Sequence, residues 1–131
     1  MFKISRKTEY ALRGLRYLAN TRTSEPVMIR EIARAADTSP VFLAKIFQLL
    51  HAAGLVTSSR GVVGGFRLSR PPQKINLREI LEATEGPVSV NVCVVDEDAC
   101  DLSKKCAAHK AWQKVRVSLN KTLEQITLKD L

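Results

Sequence analysis

Residues 28–69 read MIREIARAADTSPVFLAKIFQLLHAAGLVTSSRGVVGGFRLS, and local signals in that stretch decide the fold. Ile29, Ile32, Ala33 and Ala36 recur at three- and four-residue spacing, which predicts a short helix from Met28 to Ala36 that stops at Asp37-Thr38. Ser39-Pro40 then starts another. The serine oxygen can accept from orphan backbone N–H groups, and proline loses nothing at a first helical position whose own N–H would be unpaired. Its core face is Leu43, Ile46, Phe47 and Leu50, and Gly54 ends it after Ala53. Two helices joined by about three residues make a helix-turn-helix. Leu55–Ser59 and Phe66–Ser69 read as strands flanking a glycine-rich turn over residues 60–65, a β-hairpin wing that Pro71-Pro72 closes.

Upstream, Ala11, Leu12, Leu15, Leu18 and Ala19 give a first helix over Ser5–Asn20 one apolar stripe. Downstream, Asn76 and Glu79 have capping-box spacing, Ile75 and Ile80 are placed as a hydrophobic staple, and Gly86-Pro87 stops a fourth helix that buries Leu77, Ile80, Leu81 and Thr84. Pro87 to Leu102 has no sustained period and reads as a loop, with Val88–Val95 extended. Ser103 is placed to cap a last helix reaching Thr127, with a stripe of Ala108, Trp112, Val115, Leu119, Leu123 and Ile126. Such a helix, about 36 Å long at 1.5 Å per residue, exceeds what its own domain needs and is expected to find a partner. Only Met28 breaks the pattern, standing where a capping residue belongs.

The expected architecture is mainly α with a small β-hairpin wing. A winged helix-turn-helix over residues 1–86, a cysteine-bearing loop over 87–103 and a dimerisation helix over 104–131 form one compact unit, as 131 residues with 45% apolar content allow. No uncharged apolar run of membrane-spanning length and no signal-peptide pattern occurs, so the expected location is the cytoplasm, without membrane association. Three cysteines there imply reduced thiols, metal ligation or a redox switch rather than a disulfide framework. An enzyme is not expected, since no nucleophile, base and oxyanion donor can be assembled.

Charge is segregated. Of the formal +8, residues 1–82 carry 14 basic and 6 acidic side chains; residues 83–103 carry Glu85, Asp96, Glu97, Asp98 and Asp101 with no Lys or Arg; residues 104–131 return to seven basic against two acidic. The basic first part, with its helix-turn-helix and wing, points to double-stranded DNA. On the third helix Ser39, Val41, Phe42, Ala44, Lys45 and Gln48 are the candidates to enter a major groove, with Val41 and Phe42 suited to thymine methyl groups. From the wing, Arg60, Arg67 and Arg70 can reach the backbone or minor groove, and Gly61, Gly64 and Gly65 allow close approach to phosphate.

Cys93, Cys100 and Cys106 are separated by six and five residues, and His109 follows Cys106 at helical i+3 spacing. The absence of a Cys-x-x-Cys knuckle disfavours a single zinc ion. Wider spacing suits an iron–sulfur cluster, which with three thiols requires one non-cysteine ligand. Carboxylates crowd the first two cysteines, so a metal-free thiol switch would centre on Cys106, beside Lys104 and Lys105. A metal-free thiol-based redox regulator and an iron–sulfur carrier are the alternative readings.

Glu9-Tyr10-Ala11-Leu12, Ile32-Ala33 through Leu43, Gly54-Leu55-Val56, Arg60-Gly61 with Gly64-Gly65, and the late three-cysteine loop together resemble the IscR and NsrR family of bacterial regulators over nearly the whole chain. The resemblance implies a winged-helix homodimer, paired through its C-terminal helix. It also implies that the dimer binds an operator under control of an iron–sulfur cluster, 2Fe-2S ahead of 4Fe-4S, that senses redox state, nitric oxide or iron–sulfur status. It assigns Cys93, Cys100 and Cys106 as ligands, with His109 as the fourth in the IscR pattern or Glu9 of the other subunit in the NsrR pattern. Two departures stand out: the first cysteine gap holds six residues rather than five, and Val41 and Ala44 replace polar base-reading side chains, which implies a different operator.

Overall fold

A computed structural model describes residues 3–62 and 64–131; Met1, Phe2 and Val63, the last within the predicted glycine-rich turn, lie outside the described residues. The chain forms helices α1 (Arg6–Asn20), α2 (Ile29–Ala36) and α3 (Pro40–Ala52), strands β1 (Val56–Ser59) and β2 (Gly65–Leu68), then α4 (Leu77–Glu85) and α5 (Ala107–Gln125), with short 3-10 turns between and after them. This is the mainly α fold with a two-stranded antiparallel wing that the patterning predicts. Among the described residues no helix is long and apolar enough to cross a membrane.

The predicted local devices hold. The Ser39 hydroxyl accepts from the Phe42 N–H, with Pro40 in the first turn of α3. The Asn76–Glu79 capping box closes in both directions, and the staple residues Ile75 and Ile80 are fully buried. Helix α2 ends on Asp37 in the left-handed region, φ 57°. One continuous core joins Ala11, Leu15 and Leu18 of α1 to Ile32 and Ala36 of α2, Leu43, Ile46, Phe47 and Leu50 of α3, and Leu55, Val56, Ile75 and Ile80. Phe47 meets Phe66 of the wing edge-on at 5.2 Å, tying β2 to the core.

Met28 caps α2 without a side-chain hydrogen bond, and the wing explains why that suffices. Val27 and Phe66 exchange backbone hydrogen bonds, both 2.8 Å, so the entry to α2 is fixed as an extra rung of the hairpin rather than by a cap. The same joint gives two of the wing glycines a packing role that the sequence pattern does not show. A β-carbon on Gly65 would stand 2.1 Å from the Val27 carbonyl oxygen and one on Gly64 2.6 Å from that of Ser59, so both serve packing within the protein. Gly61 stands at φ 111°, a backbone conformation that favours glycine, with open space where a β-carbon would sit.

The C-terminal region departs most from expectation. Helix α5 starts after Cys106, not Ser103, whose buried hydroxyl instead donates to the Glu97 carbonyl at 2.8 Å. It spans 19 residues, about 28 Å at 1.5 Å per residue rather than 36 Å. Val88–Val95 is not extended throughout, because Val92–Val94 winds into a 3-10 turn, followed by another at Glu97–Ala99. After α5 the chain folds back onto the winged helix. Leu77 N–H donates to the Ile126 carbonyl and Leu128 N–H to that of Ile75, both 2.8 Å, and Leu128 enters the main core. Arg78 of α4 bonds both Glu82 and Glu124 of α5; Glu124 foremost, then Glu82, pushes the guanidinium pKa upward. Leu81, Val88 and Leu123 bury a second, smaller cluster between these helices.

Candidate nucleic-acid interface and metal centre

The wing, the start of α2 and the first residue of α3 line one cleft, formed by Met28, Ile29 and Arg30, Pro40, and Ser58 to Gly61 with Gly64 to Phe66. Ser39, Val41, Phe42, Lys45 and Gln48 are exposed along α3, Val41 at 72%. Ala44 is half-buried, a correction to its predicted exposure that follows from its place one residue after the core residue Leu43. Phe42 keeps 40% exposure but packs edge-on against Tyr10 at 5.7 Å, and Tyr10 in turn lies under the Arg13 guanidinium at 5.4 Å. Phe42 is thus an apolar ridge braced from α1.

The wing arginines separate into different roles. Arg60 is exposed at the hairpin turn and, among the described residues, makes no hydrogen bond or ion pair. Arg67 is exposed and donates from Nε to the Thr57 hydroxyl across the strands at 3.3 Å. Arg70 is held away from the cleft by Glu79 at 2.8 Å and the Lys74 carbonyl at 3.0 Å, so its fork is occupied within the protein. Arg30, which the sequence reading did not single out, is exposed in the cleft at the N-terminus of α2, where backbone N–H groups also favour anions. Its only sequence signal is a basic residue in the first turn of the supporting helix.

The three cysteines are free and half-buried. Cys93 lies at the centre of the Val92–Val94 turn, Cys100 follows the Glu97–Ala99 turn, and Cys106 caps α5. Cys106 and His109, one helical turn apart, share a pocket with Glu97, Ser103, Lys104 and Gln113, whereas Cys93 and Cys100 do not line it. Among the described residues no three His, Cys, Asp or Glu side chains converge on one ion-sized position. Glu9 is exposed in the first turn of α1.

His109 provides a test of fit. The ring is buried, 7% exposed; Nε2 lies 3.0 Å from the Gln113 amide nitrogen, and Nδ1 is buried without a hydrogen-bond partner. With the amide nitrogen facing it, Nε2 accepts and Nδ1 carries the proton; turning the Gln113 amide over would make Nε2–H the donor and free the Nδ1 lone pair for a metal. Three thiols and one imidazole short of a partner suit a soft metal site, and metal sites of this kind assemble with the metal rather than before it.

The family model for Rrf2, described as an iron-dependent transcriptional regulator, matches residues 4–131. The HTH-type transcriptional regulator NsrR of Bacillus licheniformis is 33% identical over 130 residues, covering 98% of this chain and 91% of that protein. Among solved structures, CymR, the global cysteine regulator of B. subtilis, superposes with a TM-score of 0.75 at 31% identity over 99% of this chain and 95% of its own. IscR of T. potens does so with a TM-score of 0.72 at 29% identity over 98% and 85%.

Proposed function

The chain belongs to the Rrf2 family of transcriptional regulators, and from that premise we propose that this DNA-binding regulator is a cytoplasmic homodimer that reads its operator with α3 and the wing and is controlled by an iron–sulfur cluster on the cysteine segment. Val41, Phe42, Lys45 and Gln48 face base edges; Ser39, Arg60, Gly61 and Arg67 meet the backbone, with Arg30 beside them. Two copies paired through α5 would address half-sites about one helical turn apart. The ligands are Cys93, Cys100, Cys106 and His109, with Glu9 of the partner subunit as the alternative fourth. When bound, the cluster supplies a centre that exchanges electrons, reacts with oxidants and nitric oxide, and depends on iron supply.

The observation that carries this reading is the orphaned, buried Nδ1 of His109, one turn from Cys106 in a shared pocket. Coupling to DNA has a physical route. The segment bearing the cysteines packs on α5, and α5 is strapped to the reading domain by Arg78–Glu124 and by the backbone bonds of Ile126 and Leu128. A change in the order of that segment is therefore felt as a change in the tilt of α5 against α4, a two-state element of the kind ligand switches bias.

A second reading, a metal-free thiol regulator, is favoured by three free thiols that do not converge and by the likeness to a cysteine regulator. Anaerobic purification separates the two. The cluster reading expects about one cluster's worth of iron and acid-labile sulfide per chain and a changed operator affinity after chelation. Colourless, iron-free protein with unchanged affinity supports the thiol reading. His109→Ala and Glu9→Ala, compared for cluster retention, then assign the fourth ligand.

A further inference from the structure

Arg116 lies on the inward side of α5, where neither the nucleic-acid surface nor the ligand set uses it. One terminal guanidinium nitrogen donates to the Val94 carbonyl at 2.5 Å, while Nε is buried and without a partner. Val94 is itself buried and ends the turn that has Cys93 at its centre. That turn is closed by the N–H groups of Val95 and Asp96 on the Val92 carbonyl, at 2.9 and 3.0 Å. The surrounding segment, residues 83–103, has five carboxylates and no Lys or Arg, and at the Cys93 turn the cation comes from α5. His109 stands seven residues, about two turns, before Arg116 and so on the same side of the helix, and its Nδ1 is likewise unpartnered. The inward side of α5 thus holds the Cys93 turn at one level and a candidate ligand at another.

We propose that Arg116 is a positioning residue for the sulfur site: through the Val94 carbonyl it clamps the Cys93 turn onto α5, so that the order of that turn and the placement of the dimer helix are one variable. The inference rests on the cluster reading only in naming what the turn serves; the clamp can be tested without iron. An arginine suits the task because a carbonyl bond occupies one of its five donors and leaves a charged, buried N–H over for an anionic group assembled on the thiols.

The test compares the full-length apo-protein with R116M, which keeps an apolar stem and removes every donor, and R116K, which restores one charged donor. Amide hydrogen exchange in peptides covering residues 92–96 is expected to quicken at least tenfold in R116M and to return to within about threefold of the parent in R116K, with α3 amides unchanged. Iron-loaded R116M is expected to lose its cluster to a chelator at least fivefold faster. Parent-like exchange over 92–96 in a folded R116M overturns the clamp. Iron-free parent protein would overturn the cluster reading alone, because the exchange comparison still decides the clamp. Should R116M lack a native circular dichroism spectrum, R116Q takes its place under the same criteria.

Discussion

Gly65 and Val27 lie so close that the wing and the entry to α2 share one backbone contact: the Val27 carbonyl oxygen occupies the space where a β-carbon of residue 65 would sit, 2.1 Å away. The neighbouring Val27–Phe66 bonds make this the joint that sets the wing's angle to the helix-turn-helix. Gly65→Ala must push backbone, not a flexible side chain, and is expected to cost about 2–3 kcal/mol, lowering Tm by roughly 10 °C. Because Arg60 and Arg67 ride on that hairpin, operator affinity should fall at temperatures where the variant is still folded. Thermal melts and fluorescence anisotropy on one preparation check both parts.

Acid should unfasten the seam between α1 and α4. Burial disfavours the charged form of Glu85 more than any other single influence, yet hydrogen bonds from the Ser5 and Thr8 hydroxyls and the Ser5 N–H, helped by Lys7, together outweigh it and hold its carboxyl below the ordinary glutamate range. A depressed folded-state pKa means the contribution is complete above the unfolded value, about 4.3, and is lost as pH falls through the lower folded one. Asp130, held down by the Thr127 N–H and hydroxyl, acts in the same direction. In urea titrations the parent should therefore lose stability from about pH 5 downward, and Glu85→Gln should lose less over that span while starting lower at pH 7. A Gln variant with the parent's full pH slope would remove Glu85 from the account.

What could be read in advance, and what could not, divides along the range of the interactions. Ser39-Pro40, the Asn76–Glu79 box and the three- and four-residue spacing in α1 to α3 act within one or two turns, so residue order alone reveals them. The Val27–Phe66 rung, the fold-back of Leu128 and the Thr8–Thr84 hydroxyl pair, 2.7 Å apart and separated by 76 positions, are set by packing that no window sees. Ser103 shows the two in competition: it has the side chain of a helix cap, but the Glu97 carbonyl takes its hydroxyl, and the cap of α5 falls three residues later on Cys106, which makes no side-chain cap bond. The three cysteines are legible as a set of donors, not as a geometry, because Cys93 sits in a 3-10 turn and Cys100 follows another, and neither turn has a periodic signal in residue order.

The wing arginines should separate in a salt titration. For six to ten neutralised phosphates the log–log slope of affinity against salt lies at roughly −5 to −9. Arg60→Ala is expected to flatten it by about one unit per subunit contact and to weaken binding of unrelated sequences as much as of the operator. Arg70→Ala should leave both slope and affinity unchanged, since Glu79 and the Lys74 carbonyl already hold that guanidinium. Breaking its half-exposed ion pair should cost under about 1 kcal/mol. Equal effects of the two substitutions on the slope would refute the division.

The outer side of α5 tests the proposed pairing of two copies. Ala108, Ala111, Trp112 and Val115 are exposed there, although the first, third and fourth belong to the stripe that patterning marks as apolar, while Leu123 at the far end of the same stripe is buried against α4. The stripe is thus half satisfied within the chain, and the unsatisfied half begins directly after Cys106. If a second copy covers it, Trp112 is the natural anchor, since large aromatic side chains near an interface centre commonly contribute 2 kcal/mol or more. Trp112→Glu should then weaken dimerisation at least 30-fold in sedimentation equilibrium, and operator affinity should fall with it, because two half-sites would no longer be held by one particle. The variant's circular dichroism should stay native, as the replaced ring is not part of either buried cluster. A fully dimeric Trp112→Glu protein would mean that the pairing surface lies elsewhere.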